Sequence, residues 1–367
     1  MKKIKKLLIA NRGEIAIRIL RSCRELGIET VSVYSDVDED SLHVKLADES
    51  VCIGPALAKE SYLNQHSILS AADITEADAI HPGYGFLSEN AVFAERCAKA
   101  GIIFVGPSAS IISLMGDKIR SKEMAKAANV PVLETVIIEN ELTPEQETAI
   151  LKIGFPVIIK ASAGGGGRGI KVVSSIDECR PAIKLMRAEA NAAFGNPLLF
   201  VEKYIESPRH IEVQIIADQF GNIIHLGERD CSLQRKFQKI IEEAPSLIDS
   251  SLQAKLYECA ISLAKYVQYD SVGTIEFIYD QKEKKFYFME MNTRVQVEHP
   301  VTEFITSVDI VATQIKIAQG EKLSLTQDQI HFQGHSIECR INAEDARTFR
   351  PSPGHITHYH RPAGFGV

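Results

Sequence analysis

Two glutamates flank a charged turn in the last third of the chain. Glu276 lies in Thr274-Ile-Glu-Phe-Ile278 and Glu290 in Tyr287-Phe-Met-Glu-Met-Asn292, on either side of Asp280 to Lys285. If the two strands pair about Glu283, the carboxylates face each other, and Asn292 shares the Glu290 face because strand side chains repeat every two residues. Opposed carboxylates repel, and the apolar neighbours Phe277, Ile278, Phe288 and Met289 argue for partial burial, where an unneutralised charge is costly. A hard divalent cation relieves that cost. Two carboxylates and an amide oxygen suit Mg²⁺ held together with phosphate oxygens and water. The competing reading is a pair of solvent-facing glutamates on an edge hairpin.

The even positions continue beyond this hairpin. Arg294, Gln296 and Glu298, in Asn292-Thr-Arg-Val-Gln-Val-Glu-His-Pro300, keep the same parity. They add a fork of N–H donors for a carboxylate-like anion and a glutamate able to accept a proton. Fully extended, the chain would separate Asn292 from Glu298 by roughly 20 Å at about 3.3 Å per residue, so the segment must bend for both to serve one substrate. His299, before Pro300, reads as structural.

A second constellation is Ser162-Ala-Gly-Gly-Gly-Gly-Arg-Gly169. It satisfies G-x-G-x-x-G at Gly164, Gly166 and Gly169, but a dinucleotide turn must open a helix, and Ile170-Lys-Val-Val-Ser174 is a strand run. A Walker A ending is absent as well. What remains is strand, glycine hairpin, strand, whose bare backbone N–H groups can close over triphosphate oxygens. Lys160 just before the loop and Lys118 in Met115-Gly-Asp-Lys118 are candidate phosphate cations. A plain flexible linker and ordinary surface lysines are the alternatives.

The elements that must position these groups fall into three stretches. From 1 to about 115, β-branched runs alternate with amphipathic ones, a βαβ series that implies a parallel sheet covered by helices. Its first strand-to-helix turn, Asn11-Arg12-Gly13-Glu14, lacks the glycines of a dinucleotide fingerprint, which argues against NAD. Residues 111–128 read as helical. A small α+β unit spans about 132–204, with strands at Val157 to Ala161, Ile170 to Ser174 and Leu198 to Tyr204 around a helix from Ile176 to about Ala193. Antiparallel hairpins then follow, at His210 to Ala217 with Asn222 to Gly227 and at Thr274 to Tyr279 with Phe286 to Met291. Helices near 250–267 and 307–319 would cover them.

Composition narrows the class. The 367 residues are 45% hydrophobic and 24% charged with a net charge of −7, which excludes a disordered chain and lacks the basic footprint of a nucleic-acid binder. The apolar run after Met1 stops at Asn11-Arg-Gly-Glu14, short of a signal peptide, and no stretch approaches a bilayer span, so a cytoplasmic protein without a membrane partner is expected. Seven scattered cysteines without a C-x-x-C pair read as reduced, mostly buried thiols.

At this point the residues match a family. The chain resembles the biotin carboxylase component of biotin-dependent carboxylases, in the ATP-grasp superfamily. The match rests on Ala10-Asn-Arg-Gly-Glu-Ile15, His81-Pro-Gly-Tyr-Gly-Phe-Leu-Ser-Glu-Asn90, Met115 to Lys118, the glycine loop, Glu228-Arg-Asp-Cys-Ser232, Glu290 to Arg294, Gln296 to Pro300 and Glu338-Cys-Arg-Ile-Asn-Ala-Glu344. The resemblance implies an α/β and α+β chain with three parts. These are a Rossmann-like domain over 1–115, an ATP-grasp lid with the glycine loop over 132–204, and a C-terminal mixed, largely antiparallel domain over 205–367. The last is expected to be incomplete, since family chains run on past Gly364-Phe-Gly-Val367.

Carried onto this sequence, the resemblance places ATP against Lys118, Lys160, Gly166, Gly167, His210 and Gln234, with Glu202, Lys203, Tyr204 and Ile205 along the adenine edge. Glu276, Glu290 and Asn292 would hold two Mg²⁺ or Mn²⁺ ions. Lys239, Arg294, Gln296 and Val297 would hold bicarbonate, Glu298 would deprotonate it, and Arg340 would stabilise the biotin enolate. Phe237 stands where family members carry a nucleotide-contacting His and is left out of the expected site. Implied partners are a biotin carboxyl carrier protein, a carboxyltransferase and a second copy met through Arg18, Arg21, Glu25 and Phe365. No lysine sits in the Ala-Met-Lys-Met setting of a biotinylated carrier. The expected acyl acceptor is acetyl-CoA, with propionyl-CoA, methylcrotonyl-CoA or pyruvate as alternatives. Two other readings stay open: an ATP-grasp ligase with an amine or carboxylate acceptor, and a fragment that binds ATP without turnover.

Overall fold

The computed structural model describes residues 3–162, 169–352, 354 and 356–367. Strands β1 (Lys6–Ile9), β2 (Glu29–Ser35), β3 (Glu49–Gly54), β4 (Ala79–His81) and β5 (Ile103–Phe104) form a parallel sheet in the order β3-β2-β1-β4-β5. Both faces are covered, as a parallel sheet requires. Helix α1 (Gly13–Glu25) lays Ile15, Ile19 and Cys23, spaced one turn apart, on one face, while α3 (Gln65–Ile74) and α4 (Ala91–Lys99) bury Ile68, Phe93 and Cys97 on the other. A short α2 (Leu42–Leu46) joins β2 to β3.

The stretch expected to be helical over 111–128 is so, divided into α5 (Ala109–Gly116) and α6 (Lys118–Ala127). Asp117 leaves helical geometry at φ −84°, ψ 114°, and its carboxylate accepts from the backbone N–H groups of Ile119 and Arg120. That cap restarts the helix with Lys118 at its first position and Lys122 one turn along.

An antiparallel sheet follows in the order β6-β9-β7-β8, from β6 (Thr135–Ile138), β7 (Val157–Ala161), β8 (Ile170–Val173) and β9 (Leu199–Lys203). It packs on α7 (Pro144–Ile153) and α8 (Ile176–Phe194). The glycine hairpin between β7 and β8, with Gly166 and Gly167, lies outside the described residues.

The last sheet runs β14-β13-β10-β11-β12-β15. Its strands are β10 (Arg209–Ala217), β11 (Ile223–Arg235), β12 (Gln238–Ala244), β13 (Val272–Asp280), β14 (Lys285–Asn292) and β15 (Ser336–Cys339). Strand β11 extends well past Gly227, and β12 and β15 lack the clean alternation that would announce them. Helix α9 (Ser250–Tyr266) covers one face with α5 and α6; the other face shares a core with α1 through Ile216, Val272 and α11 (Ile310–Ala318). The expected 307–319 helix is α11, and α10 (His299–Thr306) precedes it across Ser307, whose φ of 57° ends the first helix. Among the described residues no helix is long and apolar enough to cross a membrane.

Candidate active site

Four charged residues stand in one cross-strand row of the last sheet. Glu290 on β14 pairs in register with Glu276 on β13, Glu276 with Glu212 on β10, and Glu212 with Arg229 on β11. The hairpin pairing expected about Glu283 therefore holds at the carboxylates. A bulge just after Glu276 shifts it beyond, so that Ile278 meets Tyr287.

Glu276 and Glu290 are affected in opposite directions. Burial works against the Glu276 charge, but Lys239 and His210 outweigh it and hold the carboxyl at about 2. Burial and the adjacent Glu276 push Glu290 up. Glu276 Oε1 accepts from Lys239 (3.0 Å), Asn292 Nδ2 (2.8 Å) and Gln296 Nε2 (2.9 Å), and Oε2 lies 3.2 Å from His210 Nε2. An ionised acid facing one whose charge is opposed, with a side-chain amide at the strand end, is a hard-oxygen donor set short of positive charge. It fits a divalent cation.

Behind this row Lys239 on β12 bridges three acids, at 2.5 Å from Glu212, 3.0 Å from Glu276 and 2.6 Å from Glu298. Its amine fills the space among Glu212, Glu276 and Glu298. Arg340, just past β15, donates to Glu298 (3.0 Å) and Glu242 (2.5 Å). The Arg229 guanidinium is wholly buried and satisfied on all sides: Glu212 (2.5 Å), Gln214 (2.8 Å), Thr302 (3.0 Å), Thr274 (3.1 Å) and Gln296 (2.6 Å). By engaging Gln296 Oε1, it turns the Gln296 amide N–H₂ toward Glu276 and the cavity.

The bend demanded between Asn292 and Glu298 occurs where β14 ends. Arg294 folds back onto Asn292 Oδ1 (2.8 Å) and pairs with Glu89 (2.9 Å), while Glu298 becomes the N-cap of α10. His299 is buried, with Nδ1 2.8 Å from Gln296 O; burial pushes it down to about 4, in keeping with a structural role.

A cavity of about 1200 Å³ separates this acid wall from a wall of amines. Lys118 and Lys160 line the second wall with Lys122 and the buried Glu202. Glu202 Oε2 accepts from Lys160 (2.8 Å), and its Oε1 contacts Lys122. His210, Gln234, Lys239, Arg294, Val297 and Arg340 reach the same cavity, as do Glu276, Glu290, Asn292, Gln296 and Glu298. His210 Nδ1 lies 3.2 Å from the Gln234 amide; burial disfavours its charge, but Glu276 and Glu212 raise the ring to about 9. Lys203, Tyr204 and Ile205 do not line the cavity. The Lys203 amine is engaged by the carbonyls of Gly154 and Phe155, both at 3.1 Å. Phe237, at φ 63°, projects into the cavity rim and is largely exposed.

Sequence reasoning missed Glu212, Arg229, Glu242, Glu89 and Lys122. Two had a readable signal: Glu212 shares strand parity with His210, and Lys122 follows Lys118 at helical spacing. Arg229 and Glu89 sit inside the Glu228 to Ser232 and His81 to Asn90 motifs, where no spacing announces their partners.

Two antiparallel sheets facing across a cavity, one bearing lysines and the other paired acids, define an ATP-grasp ligase. The comparisons agree. A family model described as "Carbamoyl-phosphate synthase L chain, ATP binding domain" matches residues 117–326, and "Biotin carboxylase, N-terminal domain" matches 3–112. Biotin carboxylase 1 of Bacillus subtilis is 56% identical over 99% of this chain and 81% of its own length. A Campylobacter jejuni biotin carboxylase structure superposes with a TM-score of 0.94 at 52% identity, covering 99% of this chain and 81% of that one. The biotin carboxylase domain of Hydrogenobacter thermophilus 2-oxoglutarate carboxylase, a dimer solved with MgADP and bicarbonate, gives 0.93 at 50% identity over 100% of this chain and 81% of that one. The chain belongs to the biotin carboxylase family and is an ATP-dependent ligase.

Proposed function

We propose that this cavity carboxylates biotin carried on a separate carrier protein, using ATP and bicarbonate, as the first half-reaction of an acetyl-CoA carboxylase. The observation that supports these residue roles is the Lys239 bridge, whose amine contacts Glu298 at 2.6 Å and Glu276 at 3.0 Å. Lys118 and Lys160 would hold the phosphates, with His210, Gln234, Gly166 and Gly167 around the nucleotide and Glu202 at its adenine edge; Lys203, Tyr204 and Ile205, which do not line the cavity, are left out. Glu276, Glu290 and Asn292 would hold two Mg²⁺ or Mn²⁺ ions, which when bound neutralise phosphate charge.

Lys239, Arg294, Gln296 and the Val297 backbone would hold bicarbonate, a poor nucleophile until its remaining proton leaves. Glu298 takes that proton, and the freed oxygen attacks the γ-phosphoryl group, releasing ADP and forming carboxyphosphate. Carboxyphosphate breaks down to CO₂ and phosphate, and the phosphate takes the ureido proton of biotin. Arg340 stabilises the resulting enolate while its nitrogen adds to CO₂.

A carboxyltransferase would consume the carboxybiotin. The setting we propose is the cytoplasm, supported by seven cysteines that all stay unpaired. A homodimer is proposed on the fully exposed Phe365, although Arg18 is engaged within its own chain by Glu303 and Asp309, each at 2.9 Å. The deciding assay is ADP release with and without bicarbonate and free biotin. Bicarbonate-dependent turnover stimulated by biotin supports the reading. Turnover indifferent to both sinks it, and nucleotide binding without turnover favours an inactive fragment.

A further inference from the structure

We propose that Lys122 is a positioning residue for the nucleotide's phosphates: by holding the buried Glu202 carboxylate, it leaves Lys160 free to move from that acid to the ligand. The inference rests on the nucleotide reading above and deepens it. Glu202, on β9, is only 1% exposed, and its two oxygens are divided between two amines. Lys160 on β7 donates to Oε2 at 2.8 Å. Lys122 on α6 contacts Oε1, which also accepts from Thr135 Oγ1 at 2.9 Å. Thr135 and Glu202 are register partners on β6 and β9, so the hydroxyl is fixed in place beside the acid.

The two lysines are not equivalent. The Lys122 amine is 3.2 Å from Thr135 Oγ1, lies 5.3 Å over the Phe200 ring and keeps 15% side-chain exposure. Lys160 keeps 24% and, unlike Lys122, is within electrostatic reach of Glu290 on the acid wall. In the proposal Lys122, with the additional contacts to Thr135 and Phe200, stays on Glu202, and Lys160 is the partner that moves.

Removing the sole cation from a buried carboxylate leaves an uncompensated charge, which is strongly unfavourable. With one amine, Glu202 would hold Lys160 back from an incoming phosphate. With two, Lys160 can depart while Lys122 and Thr135 keep the acid compensated. The consequence is selective: Lys122 supports ligands that recruit Lys160 through a polyphosphate, and contributes little to those that present only a nucleoside monophosphate.

The test is calorimetric titration of the intact protein with ATP and with AMP. Lys122→Met should weaken ATP by about tenfold or more and change AMP by less than about threefold. Adding Glu202→Gln to Lys122→Met removes the acid that traps Lys160, and should return the ratio of ATP to AMP affinity toward the wild-type value. Taking both affinities on the same preparation cancels any loss of folded protein. Equal weakening of ATP and AMP, no change in either, or no recovery in the double variant overturns the proposal. A wild type that binds ATP no better than AMP instead overturns the nucleotide reading beneath it.

Discussion

Replacing Glu298 by Gln separates a base from a binding group at this site. The carboxylate is 2% exposed and sits between Lys239 at 2.6 Å and Arg340 at 3.0 Å. The amide keeps the shape and loses both the proton-accepting capacity and one negative charge. Loss of a positioned general base costs about 10²–10⁴-fold, or about 3–5 kcal/mol of barrier, so kcat should fall by that factor. Bicarbonate binding should move the other way. A negative charge removed about 4 Å from an incoming anion relieves about 1 kcal/mol of repulsion in a water-like medium and more in a drier one. KM for bicarbonate should therefore stay level or drop by up to about tenfold. ATP affinity, which the proposed roles assign to the opposite wall, should stay within about threefold, which also reports that the variant is folded. Coupled-enzyme ADP release at varied bicarbonate reads both parameters. A raised KM with kcat preserved would show that Glu298 binds rather than deprotonates, and a large loss of ATP affinity would show that it belongs to the nucleotide site.

Arg229→Met strips a buried carboxylate of one cation and leaves four further acceptors without their donor. It should destabilise the protein by about 3–5 kcal/mol in denaturant melts, and a loss below about 1 kcal/mol would contradict the network described. Chelation with EDTA should stop ADP release and added Mg²⁺ or Mn²⁺ should restore it, while Glu290→Gln should raise the metal needed for half-maximal turnover by about tenfold or more; turnover unaffected by EDTA would remove the metal from the reading. Glu338, in register with Glu242 across β12 and β15, is raised by burial and by Glu242 to about 8 from an ordinary 4.5. The folded state thus keeps a proton that the unfolded state releases, so stability falls as pH rises between those values. Glu338→Gln should melt higher than wild type by a margin that grows over this window, on the order of 2 kcal/mol after allowing for partial exposure, and a margin independent of pH would refute the assignment.

What was legible in the sequence was local. The face shared by Glu276, Glu290 and Asn292 could be read because strand parity and one polar turn determine it. The bulge after Glu276 could not, since apolar residues flank it on both strands and either register buries them. Asp117 looked like one more polar position in a helical run; only its backbone geometry makes it a cap that places Lys118 and Lys122 on one face. The larger losses were contacts made by long-range folding. Lys239 meets acids from β10, β13 and the start of α10, and Glu202 meets lysines from α6 and β7. No spacing rule brings those segments together. The resemblance supplied Lys239 and Glu202 as names, and the fold supplies what holds each of them.

The charges on the acid wall explain why particular groups are perturbed. Seven carboxylates there, Glu89, Glu212, Glu242, Glu276, Glu290, Glu298 and Glu338, face five cations: Arg229, Lys239, Arg294, Arg340 and His210, which is itself raised to about 9. The shortfall does not spread evenly. Glu212 and Glu276 lie against several cations and are held low, whereas Glu290, Glu242 and Glu338 are pushed up. Across the cavity lie Lys118, Lys122 and Lys160, the last two paired with the buried carboxylate Glu202. On the proposed roles a polyphosphate would neutralise the lysine wall and a divalent cation would relieve Glu290, each correcting the deficit that the other leaves. The Glu242–Glu338 pair lies away from both and is relieved by a proton, which is why its effect should appear in the pH dependence of stability.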